Sequence, residues 1–188
     1  ISLLIISFLS VYLIADNNIS VVANDQNIKY FHPYKFIAFG DTRPSSGDNS
    51  GMEAISGILN NLFDNNDDIK FMLHVGDVVE HGADQNEWDT YYHPYMDDLI
   101  QQAPIYVTVG NHEYSSAFGG DDIDLITFKA NVDNPGNEVY FSFNGPYNDT
   151  HFIFITTEFS PIGKDPNSTR QQMQMDWLMN DLANNTIE

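Results

Sequence analysis

Residues 35–41 read KFIAFGD, a short apolar run that stops at a glycine followed by an acidic residue. The same pattern returns as IKFMLHVGD at residues 69–77, and PIYVTVGNHE at residues 104–113 repeats it with an asparagine after the glycine. A run of four to eight apolar residues that ends in a glycine turn is typical of a buried strand. The sequence therefore predicts three core strands, each followed by a polar side chain.

The segments between these strands favour helices. Residues 50–63 carry apolar side chains at helical spacing, and residues 87–101 form a second, aromatic-rich helical segment. Strands that alternate with helices indicate an α/β fold with a mostly parallel sheet. Sheets of this class place their sites at the carboxyl ends of the strands, so the three glycine turns are expected to converge.

The second half of the chain continues the pattern less regularly. Residues 119–131 predict an acidic, partly helical insertion, and residues 159–169 predict a loop. Residues 139–143 and 151–156 predict a pair of strands joined by a turn at 144–148. The last predicted helix spans residues 171–182.

The residues after the three glycines suit a metal centre. Hard divalent ions prefer carboxylate and amide oxygens. We expect Asp77 to bridge two ions, with Asp41 on one ion and the side-chain oxygen of Asn111 on the other. Two ions roughly 3.5–4 Å apart can hold a phosphoryl group and lower the pKa of a bound water. The pattern therefore predicts hydrolysis of a small phosphorylated substrate with two metal cofactors, whose identity stays open among Fe, Mn and Zn.

His112 directly follows the predicted amide ligand. At that position we expect it to donate a proton to the leaving alkoxide, or a hydrogen bond to the phosphoryl oxygen, rather than to bind metal. The alternative is a loop histidine without a catalytic task.

Composition excludes several classes of function. Seven Lys and Arg stand against 27 Asp and Glu, which gives a formal net charge of -20. Nucleic-acid binding by a broad basic patch is therefore not expected. The chain contains no cysteine, which rules out disulfides, thiolate metal sites and cysteine nucleophiles within it.

The first 15 residues, ISLLIISFLSVYLIA, carry no charge. This length resembles the apolar region of a signal peptide, with a small-residue cleavage site near Ala23; a membrane anchor or a buried element of the domain are the alternatives. We assign residues 1–23 to this segment and residues 24–34 to a linker, and we expect an extracytoplasmic, secreted or membrane-anchored protein. Four Asn-x-Ser/Thr sequons fit export, and they begin at Asn18, Asn148, Asn167 and Asn184.

The three turns together resemble the calcineurin-like metallophosphoesterases, in particular their purple acid phosphatase-like branch. The motif Gly110-Asn111-His112-Glu113 carries most of the resemblance, and the stretches YFSF at 140–143, HFIFITTE at 151–158 and QMDWL at 174–178 are similar too. The resemblance implies a four-layer α/β/β/α sandwich. It also implies that residues 35–188 are the N-terminal part of the phosphoesterase domain.

Two positions depart from the family pattern. The first motif commonly reads Asp-x-His, but here the third position is Arg43. Purple acid phosphatases place a tyrosine ligand where this chain has Glu80, so tyrosinate ligation of iron is not expected. Arg43 would either contact substrate phosphate or pair with a nearby carboxylate, and Glu80 would be either an oxygen ligand or a group that orients a ligand. Glu113 is expected either to support the ligands or to contact the substrate.

The family also takes histidine ligands from motifs that follow the last helix. None of the six histidines fits those motifs, so these ligands are expected beyond Glu188. His74 and His151 are expected to be packed or supporting residues.

The sequence is also compared with the requirements of functions other than hydrolysis. A non-catalytic relative that binds a ligand or partner on the same scaffold is the main alternative, favoured by Arg43, Glu80 and the missing histidine ligands. A nucleotide-binding Rossmann-like domain would need a Gly-x-Gly-x-x-Gly or Gly-Lys-Ser/Thr loop, and a serine hydrolase would need a Gly-x-Ser-x-Gly turn; the sequence has none of these.

Overall fold

A computed structural model describes residues 33–44, 47–114, 125–159 and 168–185. The apolar start of the chain, nearly all of the predicted linker, residues 119–124 of the insertion and most of the 159–169 loop lie outside these residues.

The described elements alternate between strands and helices in the first half of the chain and form a hairpin and a long helix in the second. In chain order they are β1 (Lys35–Phe39), α1 (Ser50–Asn65), β2 (Ile69–His74), α2 (Gln85–Glu87), a π-helical turn (Trp88–Tyr92), α3 (His93–Ile100), β3 (Ile105–Val107), α4 (Asn111–Tyr114), α5 (Ile126–Asn131), β4 (Phe141–Asn144), β5 (His151–Phe154), a 3₁₀ turn (Thr157–Phe159) and α6 (Ser168–Asn184).

β1, β2 and β3 form a parallel sheet in that order, which confirms the predicted parallel sheet. The register aligns their carboxyl ends, since Phe39 pairs with His74 and His74 pairs with Val107. Each strand is therefore followed at the same sheet edge by its glycine turn. This alignment positions the candidate site.

The sheet buries both faces, as parallel sheets do. Because side chains alternate along a strand, Ile37, Met72 and Val107 enter a core that also contains side chains of α1 and α3. The alternate residues, such as Phe71 and Tyr106, face the opposite way into a second, aromatic core.

The antiparallel β4–β5 hairpin covers that second face. Phe71 packs edge-on against Phe143 and Phe152 at centroid distances of 5.3 and 5.1 Å. α6 lies on the hairpin, where Tyr140 contacts Trp177 and His151 Nε2 lies 2.7 Å from Asp181 Oδ2. The predicted strand pair is thus confirmed.

Several predicted boundaries shift. The single helix predicted at 87–101 is divided into α2, the π-helical turn and α3, and Trp88 and Tyr92 of that turn are fully buried. A π-helical turn contains one residue more than an α-helical turn, and both of its buried aromatic side chains point into the core. α6 begins at Ser168, three residues before the predicted start.

The described residues are a mixed α/β structure consistent with the predicted class. They contain one three-stranded sheet and one two-stranded hairpin, so the four-layer sandwich stays a prediction. None of the described helices combines the length and the apolar character that crossing a membrane requires.

Candidate active site

Backbone hydrogen bonds join the turns after β1 and β2. Asp41 N donates to the Gly76 carbonyl, and both Thr42 N and Arg43 N donate to the Asp77 carbonyl, each at 3.0 Å. Asp41 and Asp77 have φ angles of 53° and 55°, in the left-handed region that most residues other than glycine, asparagine and aspartate adopt only at an energetic cost. The same local bend therefore occurs in both turns and brings the two carboxylates to one edge of the sheet.

The third turn contacts the second directly. Asp77 Oδ1 accepts a hydrogen bond from His112 N at 3.1 Å. A Cβ atom on Gly110 would lie 2.2 Å from Asp77 Oδ1 and 2.5 Å from Asp77 N, so this close approach requires glycine. Asn111 begins α4 immediately after Gly110 and is half-buried.

Glu113 connects the second and third turns from beneath. Its side chain is buried, and its Oε2 accepts from Asp77 N at 2.8 Å and from Gly110 N at 2.9 Å. Its Oε1 accepts from Val78 N at 2.7 Å and Val79 N at 3.4 Å. Burial, and then the charge of Asp77, raise the pKa of Glu113 to about 7 against the opposing effect of these N–H donors.

Arg43 lies among three carboxylates. Its Nη1 donates to Glu80 Oε2, and its Nε is 3.4 Å from Asp41 Oδ1 and 4.0 Å from Asp77 Oδ2. Burial opposes the charge, but Glu80, Asp41 and Asp77 outweigh it and raise the pKa of the guanidinium. Of the two roles predicted for Arg43, the structure shows the pairing with carboxylates. Glu80 is one of these carboxylates, and its role as an oxygen ligand or an orienting group stays a prediction.

His112 is anchored through one ring nitrogen. Its Nδ1 is 2.8 Å from the carbonyl oxygen of Glu80. A carbonyl can only accept a hydrogen bond, so Nδ1 carries a proton. Nε2 is then the nitrogen through which the ring can exchange a proton. Glu80 also places its carboxylate 3.8 Å from the same Nδ1.

His74 supports the first two turns from the core. Its Nδ1 accepts from Gly76 N at 3.2 Å, so its Nε2–H donates to Thr42 Oγ1 at 2.8 Å. Burial lowers its pKa to about 3, which keeps the ring neutral. This agrees with the prediction of a packed, supporting residue.

Among curated proteins, none matches the chain significantly. A sequence model of the calcineurin-like phosphoesterase family matches residues 34–181. The chain belongs to this family. The match covers all three turns, the hairpin and most of α6. It does not distinguish branches, so the purple acid phosphatase-like branch stays a prediction.

Calcineurin-like phosphoesterases typically bind divalent metal ions, and the donor atoms here fit such an ion. Asp41, Asp77 and Asn111 supply the carboxylate and amide oxygens that hard ions prefer. The described part of the chain contains no group of three or more His, Asp or Glu side chains arranged to hold an ion. In the structure, the carboxylates of Asp41, Asp77 and Glu80 surround the guanidinium of Arg43, which supplies the positive charge beside them.

The other described histidines bond to residues outside these turns. His81 contacts Glu87, His93 contacts Asp97 and Asn131, and His151 contacts Asp181 and Asn144. His32 lies outside the described residues.

The sequence pattern pointed to Glu113 but did not indicate which groups its carboxylate binds. The Gly-Asn-His-Glu motif pointed to the residue, but nothing local to that motif indicates that its carboxylate accepts from N–H groups 34 to 36 residues earlier. The bond between Thr42 and His74 was missed for the same reason.

Proposed function

We propose that this calcineurin-like phosphoesterase hydrolyses phosphoesters of small substrates, with Asp41, Asp77 and Asn111 as metal ligands. One observation carries the proposal: the joined turns hold the carboxylates of Asp41 and Asp77 within 4.0 Å of a single nitrogen atom, Arg43 Nε. Oxygen donors that converge on one cation in this way, in a chain of this family, support binding of other cations at the same place.

Two metal ions, when bound, would clamp the phosphoryl group and lower the pKa of a water that attacks phosphorus. Asp77 would hold metal through a carboxylate whose Oδ1 accepts from His112 N and whose Oδ2 lies 4.0 Å from Arg43 Nε. The oxygen donors accept Mn and Fe readily, and Zn binds carboxylates as well.

His112 would donate the proton that the leaving alkoxide needs. The Glu80 carbonyl holds its Nδ1–H, and the buried side chain has little room to rotate. A proton on Nε2 therefore has a defined direction, which is what general acid catalysis requires.

We further propose that the protein acts outside the cytoplasm. The uncharged residues 1–15 and the four sequons support export. Residues 1–34, placed behind a start methionine and fused to a reporter that lacks its own leader, should carry the reporter out of the cytoplasm. A reporter that stays inside would contradict this location.

The alternative is a non-catalytic relative that binds a ligand or partner on the same scaffold. The observation in its favour is the position of Arg43, which already supplies a positive charge to the carboxylates.

Activity assays separate the two proposals. Protein stripped of metal with a chelator is reconstituted with Mn²⁺, Zn²⁺ or Fe²⁺ and assayed with a chromogenic phosphomonoester and a chromogenic phosphodiester. We expect hydrolysis that chelation abolishes and metal restores. Hydrolysis that chelation leaves unchanged would refute the mechanism, and inactivity with every ion would favour the binding protein.

The role of His112 has its own test. We expect His112→Ala to keep the metal content of the wild type, measured by mass spectrometry of the bound metal, and to lose about 10²-fold or more of its turnover. His93→Ala is the matched control, because His93 contacts Asp97 on its own helix α3 and Asn131 on α5, and none of the three turns. Loss of metal from His112→Ala would instead make His112 a ligand.

A further inference from the structure

We propose that Arg43 is a built-in counter-cation of the Asp41–Asp77–Glu80 carboxylates, which a divalent ion must displace in order to bind. This inference rests on the proposed metal site and concerns how that site is regulated.

The geometry places the guanidinium where an ion would bind. Arg43 Nε is 3.4 Å from Asp41 Oδ1 and 4.0 Å from Asp77 Oδ2. An ion held by the same two oxygens would lie within about 2–2.6 Å of each. Ion and guanidinium would therefore lie within a few ångströms of each other and repel strongly.

The unmet hydrogen-bonding capacity of Arg43 also supports its displacement by an ion. Its Nε is buried and has no hydrogen-bond partner, although two carboxylates lie within 4.0 Å. Nε therefore interacts with these two carboxylates through charge and not through aligned hydrogen bonds. Such an arrangement holds the guanidinium less firmly than a bidentate salt bridge would.

Glu80 gives the displaced guanidinium a place to go. Its carboxylate accepts a hydrogen bond from Nη1, whereas the carboxylates of Asp41 and Asp77 lie near Nε. Arg43 can thus release the two aspartates and keep one carboxylate partner. The side chain of Arg43 is 33% exposed, which leaves room for this movement toward solvent.

Charge balance sets the direction of the effect. The three carboxylates carry three negative charges, and an unmoved guanidinium reduces this net negative charge to two. Two ions added beside an unmoved Arg43 would leave excess positive charge. Removal of the guanidinium should therefore strengthen metal binding, whereas removal of an ordinary supporting residue would weaken it.

Calorimetric titration of Mn²⁺ into chelator-stripped protein tests the proposal. Arg43→Met removes the charge and keeps the apolar stem, and we expect it to bind Mn²⁺ about tenfold more tightly or better. Arg43→Lys keeps the charge and should stay within about threefold of the wild type. Lys35→Met is the matched control, since Lys35 pairs with Asp68 at the opposite end of β1.

Stability without metal gives a second measurement. In chelator at low salt, Arg43→Met should melt at a lower temperature than the wild type, because the carboxylates have lost their cation, and added salt should narrow the difference. If Arg43→Met does not fold, Arg43→Gln gives the same test, since it is neutral and retains an N–H donor for Glu80.

The outcomes distinguish the inference from the proposed function. Equal, measurable Mn²⁺ affinities of wild type and Arg43→Met would overturn the inference and leave the metal site standing. Unchanged Mn²⁺ affinity with loss of inorganic phosphate binding to the Mn²⁺-loaded protein would also overturn it, and would make Arg43 a substrate contact. No Mn²⁺ binding by either protein would overturn the inference and the proposed metal site together.

Discussion

Replacement of glycine by alanine should have opposite effects at two positions of this protein. Gly57 lies in the interior of α1, and a Cβ there would meet no atom within 4 Å. Gly110 lies in the third turn, where the same Cβ would be 2.2 Å from Asp77 Oδ1, 2.5 Å from Asp77 N and 2.9 Å from Glu113 Oε2.

The expected magnitudes follow from these surroundings. Gly57→Ala should stabilise the protein by about 0.5–1 kcal/mol, the usual gain of alanine over glycine inside a helix. Gly110→Ala must move Asp77, and overpacking of this kind costs about 1–3 kcal/mol. The bonds from His112 N to Asp77 and from Gly110 N to Glu113 would weaken as well, at about 1 kcal/mol or more each. A total loss of about 3 kcal/mol or more is expected.

Urea unfolding of the two variants and the wild type measures both effects. Mn²⁺ titration of the folded variants adds a second comparison: Gly57→Ala should match the wild type, and Gly110→Ala should bind more weakly because Asp77 has moved. If Gly110→Ala were as stable as the wild type, the close contact between the second and third turns would not exist, and the candidate site built on that contact would fail.

Two further predictions concern buried supporting residues. Burial lowers the pKa of His74 to about 3, below the value of 6.5 expected in the unfolded chain. Between pH 6.5 and pH 3, His74 is therefore protonated in the unfolded state but not in the folded state. The free energy of unfolding should fall as the pH is lowered through this range. The resulting loss of unfolding free energy is on the order of 4 kcal/mol. The difference in unfolding free energy between wild type and His74→Asn should therefore narrow as the pH falls. A difference that does not change with pH would contradict the burial of a neutral His74. Glu113→Ala leaves four backbone N–H groups without their acceptor and should destabilise the protein by about 3 kcal/mol or more in urea unfolding. The exposed Glu53→Ala on α1 is its control and should stay within about 0.5 kcal/mol of the wild type; equal losses in both variants would show that the Glu113 carboxylate does not hold the turns.

The strands and their glycine turns could be predicted because the signals are local. KFIAF predicted β1 at its observed bounds, and the Gly-Asp pairs marked where β1 and β2 end. Parallel pairing then implied that Asp41 and Asp77 lie at one edge, which the register and the joined turns confirm. The division of the second helix by a π-helical turn could not be predicted, because it depends on how Trp88 and Tyr92 pack in the core.

Local sequence patterns also could not predict the side-chain contacts between the turns of the candidate site. Arg43 and Glu80 are 37 residues apart, and only the folded turns bring them together. The sequence left two roles open for Arg43, since an arginine suits phosphate and carboxylate equally. Metal ligation by Asp41, Asp77 and Asn111 and catalysis by His112 stay predictions.

The left-handed backbone at positions 41 and 77 limits how this centre could be re-engineered. Aspartate, asparagine and glycine accept that conformation at low cost, whereas most other side chains lose roughly 1–2 kcal/mol there. A design that introduced cysteine at both positions, to favour a softer ion, would strain two turns at once. Laboratory evolution of new metal preference should therefore retain both aspartates and accumulate its changes at neighbours with ordinary backbone angles, such as Arg43, Glu80 and Asn111.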